Sequence, residues 1–228
     1  MKFFVENQEI EKELNEIMSL IRLRMNGATV DQMEKAGIVY RKNYGVSLEH
    51  LKAIAANLPK RYDLAERLWF MEIRETMLLA AMIVPHDKMS LVKAMEWCQK
   101  INNNDLVERS TMFLWGKLPF ANELAKVCLS HHNKWSIALA YYIIGWYAQL
   151  IQSTDVRKLD DMLSYFHDTD DFIILKSFAF AIKKQLRVLK GGSPLLEEFL
   201  SKCADSELKN LQFIGQEIQN ELDFVRDL

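Results

Sequence analysis

The chain has 228 residues, with 29 Lys and Arg against 31 Asp and Glu and a formal net charge of -2. Hydrophobic residues make up 50% and charged residues 26%, so the chain can bury a core without disulfides or a structural metal. Only 8 glycines and 4 prolines are present, which argues against a turn-rich all-β fold, a glycine-rich phosphate loop and disorder. The near-balance of charge argues against a strong overall field toward DNA or an anionic membrane, leaving only local basic patches. Cys98, Cys128 and Cys203 are odd in number and share no CxxC spacing. That fits a reducing, cytoplasmic setting better than a disulfide framework or a zinc site. The apolar run Met1–Val5 ends at Glu6 and is too short for a signal peptide.

Nearly every segment has a helical period. Ile10, Leu14, Ile17, Met18 and Ile21 form one stripe of an amphipathic helix over Glu9 to Met25. Thr29 with Gln32 reads as a capping box opening a short helix that Gly37 ends. Ser47 caps a helix from Leu48 to Leu58, stopped by Pro59, and Asp63 opens one through Phe70. Further helices are expected over Arg74–Val84, Ser90–Ile101, from Asn104 or Asp105 through Trp115, and over Phe120–Leu129. The last five span Trp135–Ile151, Asp155–Phe166, Asp170–Lys190, Leu195–Cys203 and Ser206–Arg226, with Ser193-Pro194 as a cap plus first-turn proline. About twelve or thirteen helices on short loops favour antiparallel neighbours. The expected architecture is all-α: an α-solenoid of about six stacked antiparallel helix pairs, with degenerate HEAT-like repeats, in a single domain over 1–228. Trp135 to Thr154 carries no Asp, Glu, Lys or Arg. Its polar residues and lack of a neighbouring span read as a buried inner helix, not a membrane span.

The order of motifs carries a resemblance. Tyr44-Gly45-Val46-Ser47 leads into Leu51-Lys52-Ala53-Ile54-Ala55, then Leu64-Ala65-Glu66-Arg67-Leu68-Trp69 and a helix opening with Glu75. Asn103-Asn104-Asp105-Leu106-Val107-Glu108, Asn133-Lys134-Trp135 and Ile174 through Phe180 continue it. This pattern, over roughly Tyr40 to Lys190, resembles the AlkD-like family of DNA alkylation repair enzymes, which are HEAT-like helical solenoids. The resemblance implies a DNA glycosylase that binds alkylated duplex DNA and removes cationic N3- or N7-alkylpurines without flipping the base into a pocket. A carboxylate would stabilise the oxocarbenium-like sugar, a sparse site suited to an already good leaving group.

Carried over by position, the resemblance implies Glu108 as the catalytic carboxylate, one methylene longer than the family's Asp. The family's two tryptophans fall on Asn104 and Phe180, and its arginine falls on Ala138. One aromatic wall and the arginine are thus replaced, and the site is partly degenerate. Trp115, about two turns beyond Glu108 on the same expected helix, is a candidate to replace the lost wall. The alternative is a catalytically inactive HEAT-repeat module that binds altered DNA or a protein partner. Lys176, Lys183, Arg187 and Lys190 recur at seven, four and three residues, and Phe180 falls inside their stripe. Cations for phosphates beside an aromatic for a base are the layout of a nucleic-acid-binding surface. His131-His132 has no acidic or thiol partner at ligand spacing, so neither a metal nor a cofactor is expected.

Overall fold

The structure is a computed structural model that describes residues 7–131, 133–155 and 157–227. His132 and the run Met1–Val5 lie outside the described residues. Among the described residues the fold is all-α: thirteen α-helices and two 3-10 turns, with no strand. Contacts divide the chain into two compact units, 1–114 and 115–228.

The first unit holds α1 (Gln8–Arg22), α2 (Gly27–Lys35), α3 (Leu48–Ala56), α4 (Tyr62–Phe70), α5 (Arg74–Ile83), α6 (Leu91–Cys98) and α7 (Asn104–Phe113). α1 buries Ile10, Leu14, Ile17, Met18 and Ile21, the stripe its period specifies. α5 is buried almost all round and packs against α3, α4 and α7. The indole of Trp97 stacks on Trp69 at 4.8 Å between ring centroids, and Trp69 Nε1 donates to the Trp97 carbonyl. Asn26, not Thr29, caps α2: its side chain accepts from the Thr29 N–H, so the helix opens almost a turn earlier than expected. Asn caps as well as Ser or Thr, and the Asn26 N–H is also held by the Tyr44 carbonyl at 2.8 Å. Gly37 does follow the end of α2, at φ 76°.

The second unit holds α8 (Ala121–Ser130), α9 (Lys134–Ile151), α10 (Arg157–Ser164), α11 (Phe172–Leu189), α12 (Pro194–Ala204) and α13 (Lys209–Arg226). Neighbours pair as α8 with α9, α10 with α11 and α12 with α13, while α11 also packs on α9 and α13. This is helix pairing with a shared inner layer. The uncharged stretch becomes α9, which buries Ile137–Ile143 among its neighbours. No helix among the described residues is long and apolar enough to cross a membrane. Cys98, Cys128 and Cys203 are free; Cys128 and Cys203 are buried and Cys98 is half-buried.

Candidate nucleic-acid interface

In the first unit the family-like motifs converge on one buried ionic network. The fully buried Glu75 accepts the Tyr44 N–H at Oε2 (3.1 Å) and the Val46 N–H at Oε1 (3.2 Å). It thereby satisfies the backbone of the Tyr44-Gly45-Val46 turn. Gly45 sits at φ 69°, and a Cβ there would overlap the Asn26 carbonyl oxygen, so only glycine fits. Arg74, 5% exposed, joins Glu75 to Asp105: Nη1 donates to Glu75 and to the Val46 carbonyl, and Nε donates to Asp105 Oδ2 at 2.9 Å. The Tyr40 hydroxyl donates to the same Asp105 oxygen at 2.9 Å. Burial pulls the Arg74 guanidinium down, but Asp105 and Glu75 more than offset it, so Arg74 is held charged. Burial, reinforced by Asp105, pushes the Tyr40 phenol well above its ordinary value.

This network orients the first turn of α7. Asn103 is its N-cap, accepting the Leu106 N–H at 3.0 Å. Asn104, one of the two expected caps, is therefore the first helical residue, and the helix opens one position earlier than that cap implies. Asp105 turns inward to Arg74, while Asn104 and Glu108 are half-buried. The Asn104 amide donates to Glu108 Oε1 at 2.9 Å. The residue standing where the family has an aromatic wall thus occupies one oxygen of the implied catalytic carboxylate. Trp115 is not on the same helix as Glu108. α7 ends at Phe113, and Trp115 starts a 3-10 turn, Trp115–Lys117, with its side chain fully buried. Spacing alone assigned Trp115 to the face of Glu108; the break at Leu114 (φ -127°, ψ -70°) removes it from the helix.

In the second unit Phe180 is half-buried on α11 and meets two aromatic residues of α9: Tyr142 at 4.5 Å and Trp146 at 6.0 Å between centroids. Gly145 makes the approach possible, since a Cβ there would lie 2.8 Å from Phe180 Cε1. Lys184 Nζ lies 4.4 Å from the Trp146 ring centre and 5.4 Å from that of Phe180, and donates to Gln149 Oε1 at 2.7 Å. Such cation–π contacts strengthen as the site is desolvated. Burial and Arg187 lower the affinity of Lys184 for its proton, with Glu221 acting the other way. Lys184 is absent from the sequence-derived stripe. Its signal was present all the same, because it lies four residues after Phe180, one turn along the same face.

The stripe itself divides. Lys183 pairs with Glu217 at 3.1 Å, and Arg187 makes a two-pronged bridge to Glu221 at 2.6 and 2.9 Å. Both partners lie on α13, so these two cations tie α11 to α13. Lys176 is exposed, 5.9 Å from the Phe172 ring centre, and Lys190 is exposed at the αL end of α11. Ala138, where the family has its arginine, is fully buried. Among the described residues no group of three His, Cys, Asp or Glu side chains could hold a metal ion.

No curated protein matches the sequence. One solved structure is similar with a TM-score of 0.73 at 18% identity, covering 93% of this chain and 94% of its own. It is described as "A new family of proteins related to the HEAT-like repeat DNA glycosylases with affinity for branched DNA structures". The present chain therefore has the HEAT-like repeat fold. Residues 17–210 match the family described as "DNA alkylation repair enzyme". With most of its length matched, the chain belongs to the DNA alkylation repair family.

Proposed function

We propose that this protein is a DNA-binding member of the repair family, treated as one repeat domain, that recognises distorted DNA by stacking and does not depend on base excision. The observation that carries the reading is the half-exposed Trp146–Phe180 pair, backed by the buried Tyr142 and with Lys184 over it, at the position where the resemblance implies an aromatic contact. The half-exposed rings of Trp146 and Phe180 would accept an unstacked base, with the buried Tyr142 behind them, and the adjacent ammonium would meet the phosphate that comes with it. Lys176 and Lys190 extend the cationic edge; Lys183 and Arg187 contribute only to the extent that phosphate displaces Glu217 and Glu221. The affinity of the similar solved protein for branched DNA supports branched or lesion-containing duplex as the ligand.

The test is binding to plain duplex, a three-way junction and duplex with an abasic or alkylated site, across salt. Tighter binding to the distorted forms, with a salt slope of about 0.9 per phosphate neutralised, is expected. Phe180→Ala and Lys184→Ala should each abolish the preference. Equal affinity for every form, or no binding at low salt, refutes the proposal and leaves a protein partner as the ligand.

A second reading keeps excision of alkylated purines through Glu108. It is favoured by one observation, the half-exposed Glu108 in the second turn of α7, at the position where the resemblance implies the catalytic carboxylate. Release of alkylated base that Glu108→Gln abolishes supports it; release that survives the substitution removes Glu108 from the chemistry.

A further inference from the structure

The loop that carries Lys42 and Tyr44 in the first unit is held at its backbone on several sides. The Lys42 carbonyl accepts the Arg74 N–H at 3.0 Å, and the Tyr44 carbonyl accepts the Asn26 N–H at 2.8 Å. Asn43 Oδ1 takes the Gly45 N–H at 2.9 Å, and Glu75 takes those of Tyr44 and Val46. The two side chains therefore project from a backbone with little freedom, and a pre-organised site loses less on binding. Lys42 is exposed, with Nζ 5.0 Å from the centre of the half-buried Tyr44 ring. Arg22 is exposed in the last turn of α1. The Lys42 ammonium beside the hydroxyl holds the Tyr44 phenol below its ordinary value; partial burial acts the other way, and the Arg22 guanidinium adds to the lowering. Two cations thus act on one hydroxyl, and neither forms an ion pair with a described residue. The neighbouring Arg24 is turned back to the Leu20 carbonyl at 3.1 Å and takes no part. Like charges gathered at one point repel, and an anion held between them removes that cost.

We infer that Arg22, Lys42 and Tyr44 form a seat for one backbone phosphate of DNA. The inference rests on the DNA-binding reading above and extends it to the first unit. An ammonium, a guanidinium and a phenol O–H are all donors, and the oxygens of one phosphate can accept from the three together. Arg, Lys and Tyr are among the side chains that contact phosphates in protein–DNA complexes. A phenol whose proton is already loosened by two cations is the stronger donor to such an oxygen. With a formal net charge of -2 the chain exerts no general pull on DNA, so affinity has to come from local seats of this kind. Backbone contact fixes register without reading the bases. The seat therefore sets affinity, while the Phe180 and Lys184 surface sets the preference for distorted forms.

The experiment is binding of the full chain to plain duplex and to a three-way junction across salt, for the wild type and for Arg22→Gln combined with Lys42→Gln. Circular dichroism confirms that the variant is folded. The salt slope should fall by about 0.9, one phosphate, with affinity down about fivefold or more at low salt. Plain duplex and junction should weaken by the same factor, leaving their ratio intact, whereas Phe180→Ala should lose the ratio and keep the slope. An unchanged slope in the folded double variant, or a loss confined to the junction, would overturn the inference. If the wild type binds and only the slope test fails, the stacking surface stands; if the wild type binds no form, the reading and the inference fall together. A second arm identifies the source of the oxyanion. The ultraviolet titration of the wild type, less that of Tyr44→Phe, isolates the Tyr44 phenol. It is followed with inorganic phosphate in place of chloride at equal ionic strength. A bound anion favours the neutral phenol and moves its titration upward. That movement without any change of slope in the double variant assigns the seat to free phosphate and overturns the DNA inference; a reduced slope supports the inference with or without the movement.

Discussion

Replacing Asp105 by leucine tests the account of the first unit most directly. Asp105 is 8% exposed and accepts from Tyr40, Arg74 and Arg109, at 2.9, 2.9 and 3.3 Å. Leucine leaves the Arg74 guanidinium with Glu75 and the Val46 carbonyl but without its strongest partner, and takes from the Tyr40 hydroxyl its acceptor at Asp105. Removing one member of a buried ion pair costs about 3–5 kcal/mol, and an unsatisfied buried hydroxyl about 1–3 kcal/mol. The two losses share one network and do not add fully, so about 3–5 kcal/mol is expected in total. That is a large share of a typical total stability of about 5–15 kcal/mol. Asp105→Asn keeps an acceptor of the same shape and should lose roughly half as much. Urea unfolding followed by circular dichroism measures both, and the loss should appear in the midpoint with an unchanged slope. A cost below about 1 kcal/mol for Asp105→Leu, the level of an exposed pair, would show that the network does not anchor α7.

Gly45→Ala should destabilise by about 2 kcal/mol or more, from the left-handed backbone and the overlap with the Asn26 carbonyl, read in the same urea titration; a change under about 0.5 kcal/mol would refute the close approach. The phenols of Tyr40, Tyr62 and Tyr141 are all raised, chiefly by burial, and burial pushes the Cys203 thiol up to about 11. Groups with a raised folded value stabilise fully below their unfolded values, about 8.5 for the thiol and about 10 for the phenols. Stability should therefore fall as pH rises through that range toward the folded values, and Tyr40→Phe should flatten a plot of melting temperature against pH. Glu217→Gln with Glu221→Gln should release Lys183 and Arg187 and steepen the salt dependence of DNA binding by about 0.9 per newly engaged phosphate. An unchanged slope would show that these cations do not reach DNA. Gly145→Ala forces Phe180 away from α9 and should remove the preference for distorted DNA; a retained preference would separate stacking from the recognition.

The fold was legible because the apolar positions recur at helical spacing. All thirteen expected helices form, and Ser47, Ser90 and Ser193 cap where they were expected to. Errors cluster at boundaries where two polar residues compete for one role. Asn26 takes the cap from Thr29 because its backbone is already tied to Tyr44. Asn103 precedes Asn104 because its amide also reaches the Val39 carbonyl at 3.4 Å. Tertiary partners decide both cases, and spacing carries no record of them. The same holds for charge. The period of α11 correctly put Lys183 and Arg187 on one stripe, but the carboxylates that neutralise them lie 34 residues on, in α13. The inward turn of Asp105 was equally hidden, since nothing local distinguishes Asp105 from Glu108 as the outward carboxylate of α7.

That last distinction bears on the chemistry. Asp105 and Glu108 lie three residues apart on one helix, close enough to be neighbours. Asp105 is committed to Arg74 and Tyr40, and the half-exposed Glu108 is the carboxylate of the pair that faces outward. Yet the Asn104 amide holds Glu108 Oε1, and a carboxylate already hydrogen-bonded to a donor offers less negative charge to a developing cation. The buried Ala138 supplies no arginine in place of the family's contact. On α11, by contrast, an aromatic side chain persists and is reinforced by Tyr142, Trp146 and Lys184. Stacking discriminates unstacked bases without bond cleavage, and with Lys183 and Arg187 neutralised it depends little on a net positive field. The groups that would break a glycosidic bond are weakened while those that would hold a base are multiplied. That asymmetry favours recognition of distorted DNA over excision.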